Sequence, residues 1–186
     1  MDTLNVFNFI SLNGFYKDAN NGIGWERHDG DEEKEFSGKN AQGGAILLFG
    51  RKTYEMMYSF WPTPAGHQTE AATAKGMSAA EKIVFSNTLD KADWDNTRVV
   101  KGDIAGEVSR LKEAGRKMTV LGSGSIVAQL TDARLVDTFM IMVDPIALSG
   151  GTAIFQGIHK NLTLQLADHK IFKSGRVLLT YRPRYE

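Results

Sequence analysis

The chain contains six short apolar runs separated by helical or turn-like segments. They lie at residues 6–11, 45–49, 82–85, 97–100, 118–121 and 139–143. Within most of these runs the apolar residues are continuous and do not alternate with polar ones. That pattern is typical of strands covered on both faces, as in parallel sheets. The runs therefore predict a mainly parallel sheet.

The segments between the runs predict helices at 31–41, 53–59, 103–114 and 125–130. Three acids open the first segment, which suits a helix start because of the macrodipole. The third segment has Ile104, Val108 and Leu111 on one face, and Gly115 is placed to end it. Residues 66–80 are small and polar, so we expect a surface segment whose alanines also permit a helix.

The C-terminal part has a different pattern. Residues 162–167 and 177–181 alternate, and Lys-Ser-Gly at 173–175 is a turn signal between them. An antiparallel hairpin is therefore expected to end the sheet. The fold class predicted is α/β, because strands alternate with helices in the rest of the chain. No repeat or second-domain boundary is visible, so we expect one domain over residues 1–186.

The composition excludes several classes of protein. The 186 residues are 42% hydrophobic and 24% charged, which is an ordinary globular balance. Basic and acidic residues number 22 each, so no strong field attracts nucleic acid or anionic lipid. The chain has no cysteine, which excludes disulfides, a cysteine nucleophile and thiolate metal sites.

The sequence also lacks targeting and metal signals. Residues 1–15 have no lysine or arginine, unlike the start of a signal peptide. No apolar run approaches the roughly 20 residues that span a bilayer. The four histidines lack close zinc-like spacing. We therefore expect a cytoplasmic protein with no membrane partner, no nucleic-acid partner and no metal.

One candidate site follows the second apolar run, at residues 50–55. Gly50 permits close approach by a ligand, and amides at a helix start favour an anion. Arg51 and Lys52 add positive charge, and Thr53 can cap the helix and bond a phosphate oxygen. An anion site and a capped helix with two solvated cations both fit this segment.

A second glycine-containing turn lies at residues 121–126, again between a strand and a helix. Gly122, Ser123, Gly124 and Ser125 can present amides and hydroxyls to a pyrophosphate. The turn lacks the third glycine of the Rossmann fingerprint and the Gly-Lys-Ser/Thr of a P-loop. By itself it is equally compatible with a tight structural turn.

Two further segments place polar groups after predicted strands. Ser86 follows the 82–85 strand, and ligands of open α/β sheets bind outside the carboxyl ends of strands. Residues 11–35 contain a glycine-containing loop with Trp25, followed by several acids. Such a loop can close over a site, and a carboxylate can supply a proton. Acids at a helix start are also stabilising without catalysis.

Taken in order, these segments resemble the dihydrofolate reductase-like superfamily. The closer resemblance is to its stand-alone bacterial members, related to the reductase domain of riboflavin biosynthesis. The matching pieces are SLNG at 11–14, GRKTYE at 50–55, FWPTP at 60–64, KIVFSNTL at 82–89, VLGSGS at 120–125 and the stretch 135–155. The resemblance implies the three-layer fold of that superfamily, a homodimer and an NADPH-dependent reductase.

The resemblance also assigns cofactor residues. By the family pattern, the phosphates would contact Gly50, Arg51, Lys52 and Thr53. Arg51 and Ser86 would accept the 2′-phosphate and favour NADP, and Lys101 would lie near the adenosine half. The pyrophosphate would lie on Gly122, Ser123, Gly124, Ser125 and Ile126.

The implied reaction is hydride transfer to a C=N or C=O group of a small, pterin-like or pyrimidine-like heterocycle. The substrate would contact Asn13, Gly14, Trp25, Phe36 and Tyr54. Several acids follow Trp25 where dihydrofolate reductases have one, and the acids Asp31 and Glu32 are the candidate proton donors.

Two other functions remain compatible with the sequence. A non-catalytic nucleotide-binding or sensor module would keep the fold without an efficient acid. A flavin-binding protein would use the same phosphate cradle.

Overall fold

The computed structural model describes residues 3–26 and 30–185. The strands are β1 Leu4–Ser11, β2 Phe15–Asp18, β3 Ile46–Gly50, β4 Lys82–Phe85, β5 Thr97–Val100, β6 Met118–Leu121, β7 Thr138–Asp144, β8 Gly151–Ala153, β9 Thr163–Ile171 and β10 Val177–Arg184. The helices are α1 Asp31–Ala41, α2 Arg51–Tyr58, α3 Pro64–Thr69, α4 Ala71–Ala79, α5 Ile104–Glu113 and α6 Gly124–Asp132.

Eight strands form one sheet in the order β5-β4-β3-β6-β1-β7-β10-β9. The strands from β5 to β7 in this order are parallel, whereas β10 is antiparallel to both β7 and β9. The predicted α/β fold, with its mostly parallel sheet and C-terminal hairpin, is confirmed. The sequence did not predict β2 and β8, which pair in a separate two-stranded sheet.

Helices cover both faces of the large sheet, which explains the continuous apolar runs. In β3, Ile46 and Leu48 pack into the cluster that includes α5 and α6. Leu47 and Phe49 of the same strand pack on the opposite face, against residues of α2 and α4. Burying such side chains stabilises the fold by roughly 1.5–3 kcal/mol each. The sheet is therefore the middle of three layers.

The segment 66–80 is largely helical, as its alanines permitted, and one side of it is exposed as expected of a surface segment, but its other side is buried, which the sequence did not predict. It contains most of α3 and all of α4, and α4 packs against α1. A Cβ atom on Gly38 would lie 2.9 Å from the Cβ of Ala72. A Cβ on Gly76 would lie 2.7 Å from the carbonyl carbon of Ala41. The small residues therefore allow two helices to approach closely.

Because the inner strands are parallel, their carboxyl ends share one edge of the sheet. Gly50 ends β3, and residues 86 and 122 directly follow β4 and β6. All three predicted ligand segments therefore lie along this edge. Within the described ranges, no helix is both long enough and apolar enough to cross a bilayer.

Candidate functional site

The two glycine turns are joined by a hydrogen bond. The amide of Gly50 donates to Oγ of Ser123 over 2.9 Å, and that hydroxyl donates to the carbonyl of Leu121 over 3.1 Å. The contact forms because β3 and β6 are neighbours in the sheet. It brings together two segments that are 73 residues apart in the sequence.

The second turn fits tightly against α2. Gly122 has a φ of +58°, and a Cβ there would lie 3.0 Å from Cγ2 of Thr53. Ser123 follows with a φ of +57°, a left-handed conformation that is uncommon for residues other than glycine. Thr53 is buried and packs on the turn, so its side chain is part of the wall between the two segments.

The residues of the second turn differ in their surroundings. The hydroxyl of Ser123 is used within the turn, and the amide of Gly124 donates to the hydroxyl of Tyr16 over 3.2 Å. Ile126 is buried in the core, and its amide donates to the carbonyl of Ser123 over 2.8 Å. Ser125 is exposed on the first turn of α6. A ligand would therefore meet Gly122 and Ser125 before the other three.

Two lysines lie close together beside these turns. Lys17 of β2 lines the same cavity as Thr53 and Gly122. Burial lowers the pKa of Lys17 below its usual value, and the nearby charge of Lys52 lowers it further. Two cations that repel each other favour an anion that lies near both of them. The sequence predicted Lys52 here, whereas Lys17 was missed.

Arg51 extends from the start of α2 to the segment after β4. Its Nε donates to Oε1 of Glu55 over 2.7 Å, and its Nη1 donates to Oγ1 of Thr88 over 2.9 Å. Oγ of Ser86 accepts the amides of Thr88 and Leu89 at 3.2 and 3.0 Å. Arg51 and Ser86 are thus brought together through Thr88, which the sequence analysis did not single out.

Lys101 lies just after β5, on the same edge. Its Nζ donates to Oδ1 of Asp90 over 2.7 Å, and this hydrogen bond lowers the pKa of Asp90. Oδ1 of Asn87 accepts the amide of Gly102 over 2.9 Å. The segments after β4 and β5 are therefore tied together, with the Lys101 ammonium exposed at their surface.

A cavity of about 400 Å³ extends from the glycine turns along one face of the sheet. Its sheet side includes Phe7, Phe9, Leu47, Leu121 and Met140. Its helix side includes Met56, Met57, Phe60, Trp61, Glu70, Thr73 and Met77. A mostly apolar, aromatic-lined space next to an anion-binding turn can hold a planar ring.

A second cavity, of about 550 Å³, lies beside the N-terminus of α1. Trp25, Asp31, Glu32 and Glu33 line it. Asp31 is exposed, whereas Oε1 of Glu32 lies 3.5 Å from Nζ of Lys173. The candidate acids Asp31 and Glu32 therefore line a cavity other than the one that adjoins the glycine turns. Among the residues described, no three His, Asp or Glu side chains are grouped as metal ligands.

Glu33, the next acid on α1, is buried and connects the helix to the C-terminal hairpin. It accepts the hydroxyl of Ser174, and its Oε1 lies 3.7 Å from Nη1 of Arg176. Arg176 is itself buried, and its Nε donates to Oδ1 of Asp144 over 2.6 Å. Sequence reasoning missed the buried pair of Arg176 and Asp144, because Asp144 ends β7 and Arg176 lies 32 positions later, just before β10.

Asn13 has a structural position in the turn after β1. Its Nδ2 donates to the carbonyl of Leu148 over 2.8 Å, and its Oδ1 accepts the amide of Leu148 over 3.1 Å. Gly14 has a φ of +89°, which this tight turn requires. Neither residue lines the two cavities described above, whereas Trp25 lines the second one.

Phe36 and Tyr54 also lie outside the lining of the first cavity. The Phe36 ring packs against Phe7, with centroids 5.9 Å apart, and against Phe172 at 6.0 Å. The hydroxyl of Tyr54 accepts the amides of Asp93 and Trp94, both at 3.1 Å. Phe36 therefore supports a wall of the cavity through Phe7, and Tyr54 holds the segment before β5.

Comparison with known sequences identifies relatives over nearly the whole chain. The profile of the family described as the RibD C-terminal domain matches residues 2–178. A curated relative, the uncharacterized protein YyaP of Bacillus subtilis (strain 168), is 27% identical over 173 residues. The aligned region covers 92% of this chain and 90% of YyaP.

Solved structures share the fold. A putative riboflavin biosynthesis protein from Shewanella sp. PV-4 has a TM-score of 0.74 at 21% identity, covering 98% of this chain and 99% of that one. A pyrimidine reductase-like protein from Corynebacterium diphtheriae has a TM-score of 0.67 at 12% identity, covering 100% and 93%.

A third structure has two activities in its name. It is a diaminohydroxyphosphoribosylaminopyrimidine deaminase/5-amino-6-(5-phosphoribosylamino)uracil reductase from Thermotoga maritima, with a TM-score of 0.70 at 13% identity. The match covers 98% of the present chain and 56% of that protein's length.

Proposed function

The chain belongs to the RibD C-terminal domain family, as the sequence motifs predicted, and we propose that it is an NADPH-dependent reductase of a small pyrimidine-like heterocycle. The observation that carries this proposal is the pair of glycine turns joined by Gly50 and Ser123 beside a mostly apolar cavity. The reductases named among its structural relatives support the reaction class. We also propose the cytoplasm as its location, because a chain without cysteine needs no disulfide and so fits a compartment that is kept reducing.

The charges and amides at the carboxyl ends of the parallel strands suit a nicotinamide dinucleotide. Lys17, Lys52 and the first turn of α6 would hold the diphosphate, because cations and helix-start amides both attract it. The cavity that begins at Gly122 would receive the nicotinamide ring. The bound cofactor supplies the hydride, and the protein aligns the two rings and excludes water.

Arg51 is the residue that we propose selects NADPH over NADH. It is exposed at the start of α2 and already reaches the hydroxyl of Thr88, next to Ser86. Arginine binds phosphate through two parallel N–H donors, which suits the 2′-phosphate. Ser86 and Lys101 would add a hydroxyl and a second cation from the neighbouring strand ends.

In the proposed reaction, the hydride adds to the carbon of a C=N or C=O bond. The π electron pair moves to the nitrogen or oxygen, which then takes a proton. Of the two acids assigned to this role, Glu32 lies near Lys173, whereas Asp31 is exposed at the helix start. We therefore propose Asp31 as the residue that passes a proton from solvent, which requires the reacting group of the substrate to face the second cavity, where Asp31 lies.

The coenzyme preference tests the cofactor site. Replacing Arg51 by Gln should weaken NADPH binding about 10–100-fold, because charge-assisted hydrogen bonds contribute roughly 1.5–3 kcal/mol. NADH binding should change little. Arg116→Gln is the matched control, since Arg116 is also half-exposed and paired with a glutamate, Glu81. Equal NADPH and NADH affinities in the unmodified protein would contradict the proposal.

The second candidate function is a module that binds the nucleotide without catalysis. The ion pair of Glu32 with Lys173 favours it, because a paired carboxylate is a poorer proton donor. Turnover distinguishes the two functions. A reductase should oxidise NADPH with at least one heterocycle of a pterin and pyrimidine panel, and Asp31→Asn should slow that reaction. Saturable NADPH binding without oxidation would favour the binding module, and a flavin spectrum in the purified protein would favour a flavoprotein.

A further inference from the structure

Tyr16 reaches the second glycine turn from a distant part of the chain. We propose that Tyr16 is a diphosphate-binding residue, whose hydroxyl accepts the amide of Gly124 and donates its own hydrogen to a diphosphate oxygen of the cofactor. This inference rests on the proposed function only in identifying that diphosphate as part of NADPH. The site itself can be tested with inorganic pyrophosphate, which needs no dinucleotide.

A bulge in the short strand β2 brings Tyr16 to this position. Phe15 pairs with Ala153 of β8 and Lys17 pairs with Thr152, so Tyr16 is the extra residue of the bulge. In a regular strand Tyr16 and Lys17 would point to opposite faces, whereas here both line the first cavity. Bulges redirect side chains in this way and are common beside functional sites. The bulge therefore places a phenol and an ammonium group at one site.

Two glycines allow this close approach. A Cβ atom on Gly124 would lie 2.7 Å from Oη of Tyr16, so the missing side chain leaves room for the phenol at the start of α6. A Cβ on Gly151 of β8 would overlap the carbonyl oxygen of Lys17, so β8 can hold the backbone of β2 closely. Gly124, which the sequence predicted to contact the pyrophosphate, would thus act on it through Tyr16.

The hydroxyl of Tyr16 takes the place of a side-chain cap on α6. Ser123 precedes the helix, but its hydroxyl is bonded to Gly50 and Leu121 and caps no amide of α6. Oη of Tyr16 instead accepts the amide of Gly124, the first residue of this nine-residue helix, over 3.2 Å. The start of a helix attracts anions, and a hydroxyl that accepts a hydrogen bond becomes a stronger donor. The phenol therefore extends the helix start as an anion-binding group.

The hydrogen of the Tyr16 hydroxyl is available to a ligand. Tyr16 is 7% exposed, and residues 3–26 and 30–185 provide no acceptor for this hydrogen. A buried hydroxyl hydrogen without an acceptor costs free energy. A ligand oxygen that accepts it would remove that cost.

The charges beside Tyr16 favour an anionic acceptor. Nζ of Lys17 lies 5.3 Å from the centroid of the Tyr16 ring, which is a cation–π distance. Lys52 is close enough for its charge to act on Lys17. A diphosphate can accept hydrogen bonds from both ammonium groups and from the hydroxyl. A neutral acceptor, such as the carboxamide of the nicotinamide, would use the hydroxyl without balancing the two cations.

Calorimetric titrations with inorganic pyrophosphate and with NADPH test the proposal. Tyr16→Phe keeps the ring and removes only the hydroxyl, so it should weaken both ligands about tenfold, the effect of one hydrogen bond to a charged group. Tyr185→Phe is the matched control, because the hydroxyl of Tyr185 also bonds one backbone group, the carbonyl of Val136. The control should leave both affinities unchanged.

The opposite results would overturn the role of Tyr16. Unchanged affinities in Tyr16→Phe would exclude its hydroxyl from the site. Tighter binding of pyrophosphate by this variant would mean that the hydroxyl competes with the anion for the amide of Gly124. A third ligand, 2′-AMP, has no diphosphate and should bind Tyr16→Phe as well as it binds the unmodified protein. An equal loss of 2′-AMP affinity would contradict a direct contact with the diphosphate.

The same titrations separate this inference from the reductase proposal. Pyrophosphate binding that depends on Tyr16, without any binding of NADPH, would contradict the reductase and support the diphosphate site. Saturable NADPH binding that Tyr16→Phe leaves unchanged would support the cofactor proposal and contradict the role of Tyr16. A protein that binds neither ligand would contradict both.

Discussion

At the scale of single residues, the site depends on contacts that no local pattern contains. Tyr16 accepts the amide of Gly124 from 108 positions away, and Lys17 lies near Lys52. Gly50 and Gly122 could be predicted because each belongs to a local strand–turn–helix pattern. Tyr16 and Lys17 could not, because the four-residue β2 has no distinctive pattern and its position depends on pairing with β8.

The lowered pKa of Lys17 predicts a pH dependence for cofactor binding. A diphosphate binds the ammonium form, so affinity should be greatest below the pKa of Lys17 in the free protein. It should fall as the pH rises through that pKa. Because burial and Lys52 lower this pKa from the usual 10.5, the loss should begin at a lower pH than for an exposed lysine.

NADPH titrations between about pH 7.5 and 10 measure this dependence, because a lysine with a lowered pKa loses its proton in that range. Lys17→Gln should bind more weakly at the lower end and lose most of the pH dependence. Lys75→Gln is the control, because Lys75 is exposed on α4. A Lys17→Gln variant with unchanged affinity and pH dependence would exclude Lys17 from the cofactor site.

At the scale of elements, the main strands were predictable and the small ones were not. The runs at 82–85 and 118–121 coincide with β4 and β6, because buried parallel strands are rich in apolar residues. The run at 97–100 coincides with β5, although this edge strand is only partly buried. β8 has three residues and no apolar pattern. The burial of α4 follows from its packing on α1, which composition alone does not contain.

The N-terminal turn of α1 was likewise only partly predictable from the sequence. Its acids were predicted to stabilise the helix start or to supply a proton. The sequence could not show that Glu33 is buried against Ser174, because that partner lies 141 positions away. The predicted proton donors Asp31 and Glu32 lie on the same turn but are not buried. Their roles therefore depend on which neighbours the hairpin brings to each side chain.

Glu33 should contribute more to stability than Glu35. Glu33→Ala leaves the Ser174 hydroxyl and the buried Arg176 without this carboxylate, which should cost about 2–4 kcal/mol of unfolding free energy. Glu35→Ala removes an exposed pair with Lys39 and should cost less than about 1 kcal/mol. Urea unfolding of both variants measures the difference, and equal midpoints would contradict the structural role of Glu33.

At the scale of the whole molecule, the edge strand β9 is incompletely covered. Most of its residues are exposed on both faces, including Leu166 at 49% and Ile171 at 69%. Exposed apolar edge strands tend to pair with another chain. We propose that a second copy covers β9 in a homodimer, the assembly that the sequence resemblance implied.

Light scattering tests the homodimer. The unmodified protein should have twice the mass of the 186-residue chain, and the double variant Leu166→Asp, Ile171→Asp should have the mass of one chain. Leu12→Asp is the control, because Leu12 is 71% exposed but lies in the turn after β1. A monomeric unmodified protein, or a double variant that stays dimeric, would exclude β9 as the interface.

The joined turns at Gly50 and Ser123 are where NADPH is expected to bind, and backbone amide chemical shifts measure this most directly. On titration with NADPH, the largest shifts should come from residues 50–53 and 122–126, with further changes near Lys17, Ser86 and Lys101. Residues at the opposite edge, such as Glu81 and Arg116, should shift little. Saturable NADPH binding with its largest shifts at that opposite edge, or no shifts at all, would contradict the proposed cofactor site.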